Sequence, residues 1–96
     1  MALHQLKNDS LANHGFNSVY QRNTDVLDTA LQQESGITVI YFTFQSTSKP
    51  SNSGGHAIIM KANFTTILFI DANTGLAYAN VYQTGQTNRW IGWKQI

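Results

Sequence analysis

The spacing of hydrophobic positions along this chain changes period once, and the change divides it into two parts. From Ala2 to His14 the apolar Leu3, Leu6 and Leu11 recur near helical spacing, and Gly15 stands where a helix would stop. The polar run from Asn13 to Ser18 reads as a connector. A second helix is predicted from Asp25 to Glu34, capped by Asn23 or Thr24, with Asp25 at the positive end of the helix dipole. Val26, Leu27, Ala30 and Leu31 would form its buried face and Gly36 would end it.

Beyond Gly36 the period shortens to that of strands. Ile37 to Gln45 (ITVIYFTFQ) is rich in β-branched and aromatic residues and apolar on both faces, which predicts a central strand. In this reading Tyr41, Phe42 and Phe44 are strand core. Ser46 to Gly55 (STSKPSNSGG) reads as a flexible polar loop and holds the only proline. His56 to Ala62 and Thr66 to Ala72 read as two strands around a short turn, with Met60 as core filler. Asn73-Thr74-Gly75 is a turn, a strand follows from Leu76 to Gln83, and Arg89 to Ile96 forms a last strand. In that last strand Trp90 and Trp93, three residues apart, would point to opposite faces. The predicted class is α+β: one or two N-terminal helices packed on a mostly antiparallel sheet of about five strands. Residues 1–96 read as a single domain without internal repeat.

Composition narrows the function more than it narrows the fold. The chain has 96 residues, only 11% of them charged, and a formal net charge of +1. Such a surface offers no basic stripe to a phosphate backbone, so nucleic acid is not an expected partner. No apolar run approaches the ~20 residues of a membrane-spanning helix. There is no cysteine, hence no disulfide framework and no thiol nucleophile within the chain. His4 and His14 are too far apart, and too poorly supported by acidic residues, to suggest a metal site, and no cofactor is expected.

One pair of residues carries candidate chemistry. If the turn between the His56 and Thr66 strands leaves two or four residues unpaired, paired residue numbers sum to 127. His56 then lies directly opposite Asp71. Opposite residues on one face have Cβ atoms roughly 5 Å apart, so the carboxylate could hold the imidazole in the tautomer a general base requires. A slip of one residue would send the two side chains to opposite faces. Gly54-Gly55 would leave the approach to His56 uncrowded, and Asn73 could support the pair. Taken singly, His56 is also a residue at the start of a strand, and Asp71 a former of the Asp-Ala-Asn-Thr-Gly turn.

Gly55-His56-Ala57, followed fifteen residues after the His by Phe69-Ile70-Asp71-Ala72-Asn73-Thr74-Gly75, resembles the second half of the papain-like cysteine peptidases of the YopT type, bacterial effector and toxin domains. The resemblance covers about a quarter of the chain closely. It implies a papain-like sheet with His56 as general base and Asp71 as its orienting partner. It further implies a protein or peptide substrate and a bacterial protein that is secreted or delivered into a host cell. The nucleophilic Cys would come from a preceding segment, making this chain the C-terminal portion of a larger peptidase, inactive alone. Ser10, Ser18 and Ser35 lie upstream of His56, but none sits in a nucleophile-elbow sequence. The alternative is a non-catalytic binding or regulatory module on a degenerate papain-like fold, whose partner would be a second copy or another polypeptide.

Overall fold

The computed structural model describes residues 16–85 and 88–96, with the backbone alone for residues 16–22. The helix expected from Ala2 to His14, together with His4, Ser10 and His14, lies outside the described residues. The described residues form seven strands and one short helix in the order β1 (Phe16–Arg22), α1 (Val26–Leu31), β2 (Gly36–Phe42), β3 (Gly55–Lys61), β4 (Thr65–Asp71), β5 (Ala77–Gln83), β6 (Arg89–Trp90) and β7 (Lys94–Gln95). They form one sheet ordered β1-β2-β3-β4-β5-β6, with β7 also pairing with β5. The α+β class stands, and five seven-residue strands carry the sheet.

Four expectations about elements are corrected. The segment read as a connector before α1 is strand β1, which pairs parallel with β2. A parallel neighbour needs a crossover of a dozen or so residues, and the stretch containing α1 supplies it. The helix is shorter than predicted: Asp25, not Asn23 or Thr24, is its N-cap, accepting a bond from the Asp28 amide at 3.0 Å, and Gln32 is its C-cap. Gly36, with φ of 117°, opens β2 instead of closing the helix. The last strand is split in two at Gly92, whose φ of 107° breaks the pairing with β5.

The split has a built cause. Asn80 is fully buried on β5, and its side-chain oxygen accepts bonds from the Gly92 amide at 3.0 Å and from the Val81 amide at 2.9 Å. The chain bows around that side chain, so Trp90 and Trp93 do not alternate faces. Both pack against the core. Trp93 meets Phe69 edge-to-face at 6.0 Å and donates from its indole nitrogen to the Ser48 carbonyl at 2.9 Å.

The core is a single cluster of Val26, Ala30, Ile40, Phe42, Ala57, Ile59, Ile67 and Phe69, all fully buried. It joins α1 to one face of β2, β3 and β4, where alternate residues point inward. The 46–55 loop is tied to this layer rather than free. The Thr47 and Ser48 hydroxyls donate to the Asp25 carboxylate, and the Val26 amide reaches the Thr47 carbonyl at 3.0 Å. The Lys49 ammonium donates to the Phe44 and Ser46 carbonyls. At the far end of the helix, Lys61 donates to the Leu31 carbonyl, one of the acceptors that a helix C-terminus leaves open.

Candidate functional site

The β3–β4 turn decides the fate of the His56–Asp71 pair. Lys61 pairs with Thr65, so three residues, Ala62, Asn63 and Phe64, lie between the strands, closed by a bond from the Ala62 amide to the Phe64 carbonyl at 3.1 Å. An odd turn makes paired numbers sum to 126. His56 faces Ile70, and Asp71 faces Gly55. The expected register is therefore off by one residue, and the two side chains project from opposite faces of the sheet.

Asp71 falls on the core face, 3% exposed, and its carboxylate is fully engaged there. One oxygen accepts from the Ser51 hydroxyl at 2.5 Å; the other accepts from the Asn73 amide at 2.7 Å and the Thr74 amide at 3.0 Å. The Ser51 bond first, then the Thr74 and Asn73 amides, hold the Asp71 carboxyl below its ordinary 3.8, against an upward push from burial. Main-chain bonds close the same turn, from the Gly75 amide to the Asp71 carbonyl and from the Asp71 amide to the Leu76 carbonyl, each at 2.9 Å. The carboxylate is thus the clasp of an Asp-Ala-Asn-Thr-Gly turn. Asn73 contributes its amide to that clasp, while its residue surface stays exposed.

His56 stands on the other face, exposed, with its ring edge-on to Tyr41 at 5.0 Å. The two residues are direct partners across β2 and β3. The glycines before His56 serve close backbone approach rather than an open path to the imidazole. A Cβ on Gly55 would stand 2.2 Å from the Ile70 carbonyl and 2.7 Å from the Phe69 ring, and one on Gly54 would stand 2.7 Å from the Phe42 carbonyl. Of the serines upstream, Ser35 is exposed between α1 and β2, and Ser18 lies on β1. No group of three or more His, Cys, Asp or Glu able to hold a metal ion occurs among the described residues. No described helix is long and apolar enough to cross a membrane.

The face that carries His56 is more informative than the imidazole itself. The strand registers align its side chains in three rows across β2, β3, β4 and β5: Ile37–Met60–Thr66–Val81, Val39–Ile58–Leu68–Ala79 and Tyr41–His56–Ile70–Ala77. None of the twelve carries a fixed charge. Val39, Ile58 and Leu68 are half-buried in the middle row, while Ile37, Met60 and Ile70 are 39%, 39% and 38% exposed. Met60, expected in the core, belongs to this outer face, and so does Tyr41; Phe44 lies beyond β2 and is 67% exposed. At the turn end, Ile37, Met60, Phe64 and Thr66 border an open hollow of about 530 Å³.

The sequence points to His56, Asp71 and a supporting Asn73, and allows a binding module, but it does not place these three rows on an open face. Ser51 carries no signal in a loop full of serines, and the Tyr41–His56 contact depends on a register that the long 43–54 connection leaves open. The apolar residues at alternate positions of four strands were visible, but they read as buried. Comparison of the chain with protein-family models, with curated proteins and with solved structures gives no match.

Proposed function

We propose that this domain is a protein-binding module whose working surface is the outer face of its sheet. The observation that carries the reading is a sheet that, among the described residues, is covered on one side only. The helix and the two tryptophans pack on the core face, while the opposite face presents three uncharged, largely apolar rows. A β-sheet with an apolar face gains stability by burying it against a second layer, and contiguous apolar patches of some hundreds of Å² mark interaction surfaces. Without a fixed charge on the face, docking there strips no ion hydration from this domain.

The test compares lysine substitutions on the two faces. Ile58→Lys and Leu68→Lys are expected to shift the thermal midpoint by no more than about 2–4 °C, since they add solvated charge to an accessible surface. Ile59→Lys and Ile67→Lys are expected to abolish cooperative folding, because each buries an unpaired ammonium. Loss of folding from the outer-face pair would mean that the face is sealed within the chain, and would overturn the reading.

A second reading keeps the peptidase resemblance, with this chain as the His-bearing C-terminal part of a cysteine peptidase completed by a preceding segment. What supports it is the exposure of His56 at one end of the outer face, where a segment laid on that face would reach the imidazole. In that reading Asp71 acts as a turn clasp. In the longer product, His56→Ala would abolish peptide cleavage; wild-type turnover in that variant would exclude the imidazole as base.

A further inference from the structure

The geometry points to a second copy of this chain as the occupant of the outer face, in a twofold dimer of stacked sheets; the inference rests on the binding-face reading above. The face is a wedge. Ile37, Val39 and Tyr41 stand tall on β2, Ile58, Met60, Leu68 and Ile70 fill the middle, and Ala77 and Ala79 leave β5 low, with Val81 alone rising there. A twofold axis parallel to the strands, running between β3 and β4, reverses the strand order of the second copy. It lays β2 of one copy over β5 of the other. Because the three rows keep their height along the strands, Val39 meets Ala79 of the second copy, Tyr41 meets its Ala77, and Ile58 meets its Leu68. In two of the three rows high side chains meet low ones at both edges, and in the third Ile37 meets Val81; each contact occurs twice, as in an isologous interface. Inner faces of stacked sheets lie about 10 Å apart, with their side chains interdigitated.

Electrostatics permits the same occupant, and area limits its affinity. None of the twelve residues carries a fixed charge, and the chain has a net charge of only +1, so two copies meet with little repulsion. Four strands at about 4.8 Å spacing and seven residues at about 3.3 Å rise give a face of roughly 19 by 23 Å, about 440 Å² in projection. Twice that area falls below the 1,200 Å² or so where stable specific interfaces begin. The dimer is accordingly weak, with a dissociation constant on the order of 10–100 μM.

The experiment is sedimentation equilibrium of the whole chain from about 5 to 500 μM, with Val39→Lys and Ala79→Glu made as separate proteins. Wild type is expected to pass from monomer to dimer across this range. Each variant alone is expected to lose at least tenfold in association. An equimolar mixture of the two is expected to regain it, because Lys at position 39 of one copy then faces Glu at position 79 of the other. In parallel, a methyl NMR dilution series on the unsubstituted protein is expected to move the signals of Ile58 and Leu68 and to leave those of the buried Ile59 and Ile67 in place. A monomer at every concentration, a dimer indifferent to both variants, or no recovery on mixing would overturn the second-copy assignment while leaving the face open to another protein. Moving core methyls with fixed outer ones would overturn it too. Failure of the binding-face reading itself is seen separately, as unfolding of the Ile58→Lys and Leu68→Lys monomers.

Discussion

The two faces of the β2–β5 sheet are built from the same strands, and nearly the same residue types, yet they do different work. On the core face, shape is specific. The Phe69 ring folds over Gly55 so closely that a Cβ there would lie 2.7 Å from it, and Phe69 also meets the Trp93 ring at 6.0 Å. The carboxylate and the side-chain amide buried on this face each have a structural task, Asp71 holding a turn and Asn80 the C-terminal segment, while the buried Thr38 hydroxyl on the same face has no partner among the described residues. On the outer face the side chains are equally apolar but partly open, and the polar members, His56, Tyr41 and Thr66, sit among aliphatic neighbours. An apolar strand face therefore does not reveal whether it is packed. What distinguishes the packed one here is the fit between large and small residues and the engagement of every carboxylate and amide on it.

The contrast can be broken or sharpened by substitution. The largest effect is expected at Gly55. Gly55→Val would drive a side chain into the Ile70 carbonyl and the Phe69 ring, and the expected outcome is a chain without a cooperative urea transition. Next, Phe69→Ala should cost about 3–5 kcal/mol by removing a fully buried ring, measured as a shift in the urea midpoint. Asn80→Ala should cost about 1–3 kcal/mol, since it leaves two amides without their acceptor, and should speed hydrogen exchange at Gly92 and Val81.

Acid is a milder probe of the same face. Asp71 is held below the ordinary carboxylate value by Ser51 and the turn amides. At Asp25, partial burial pushes upward, but bonds from Ser48, Asp28, Thr47 and Leu27 outweigh it, and the net shift is also downward. A depressed folded value means that the stabilisation is complete above about pH 4 and is lost as pH falls through the depressed values. The urea midpoint is therefore expected to fall between pH 5 and pH 2, and the fall should shrink in an Asp25→Asn, Asp71→Asn double variant. The smallest effect belongs to the outer face: Leu68→Ala and His56→Ala are each expected to change monomer stability by less than about 1 kcal/mol. A cost at Leu68 comparable to that at Phe69 would erase the contrast.

Most of the strands were legible from β-branched and aromatic runs bounded by Gly, Asn and Ser, and their ends fall within one residue at β3, β4 and β5. The strand β1 was not, because Phe16-Asn17-Ser18 carries turn-forming residues and its pairing depends on β2, some twenty residues later. The Gly92 break was invisible because its cause, the Asn80 side chain, sits on another strand. At the candidate site, Asp71 was legible as a turn former through its Asn-Thr-Gly sequel. Its pairing with His56 was not decidable locally: Ile67, Leu68, Phe69 and Ile70 are apolar on both faces, so the strand itself does not choose which side points inward.

That indifference gives the three-residue turn at Ala62, Asn63 and Phe64 a disproportionate influence. Its length acts as a parity bit for half of the molecule. With an odd number of residues, Phe69 faces inward and Asp71 can close its turn; with an even number, Leu68 and Ile70 would face inward, and His56 and Asp71 would share a face. Deleting Asn63 would thus exchange one set of neighbours for the other across a strand that is greasy either way. Indels in pairs at this turn preserve the arrangement, whereas single ones rewrite it.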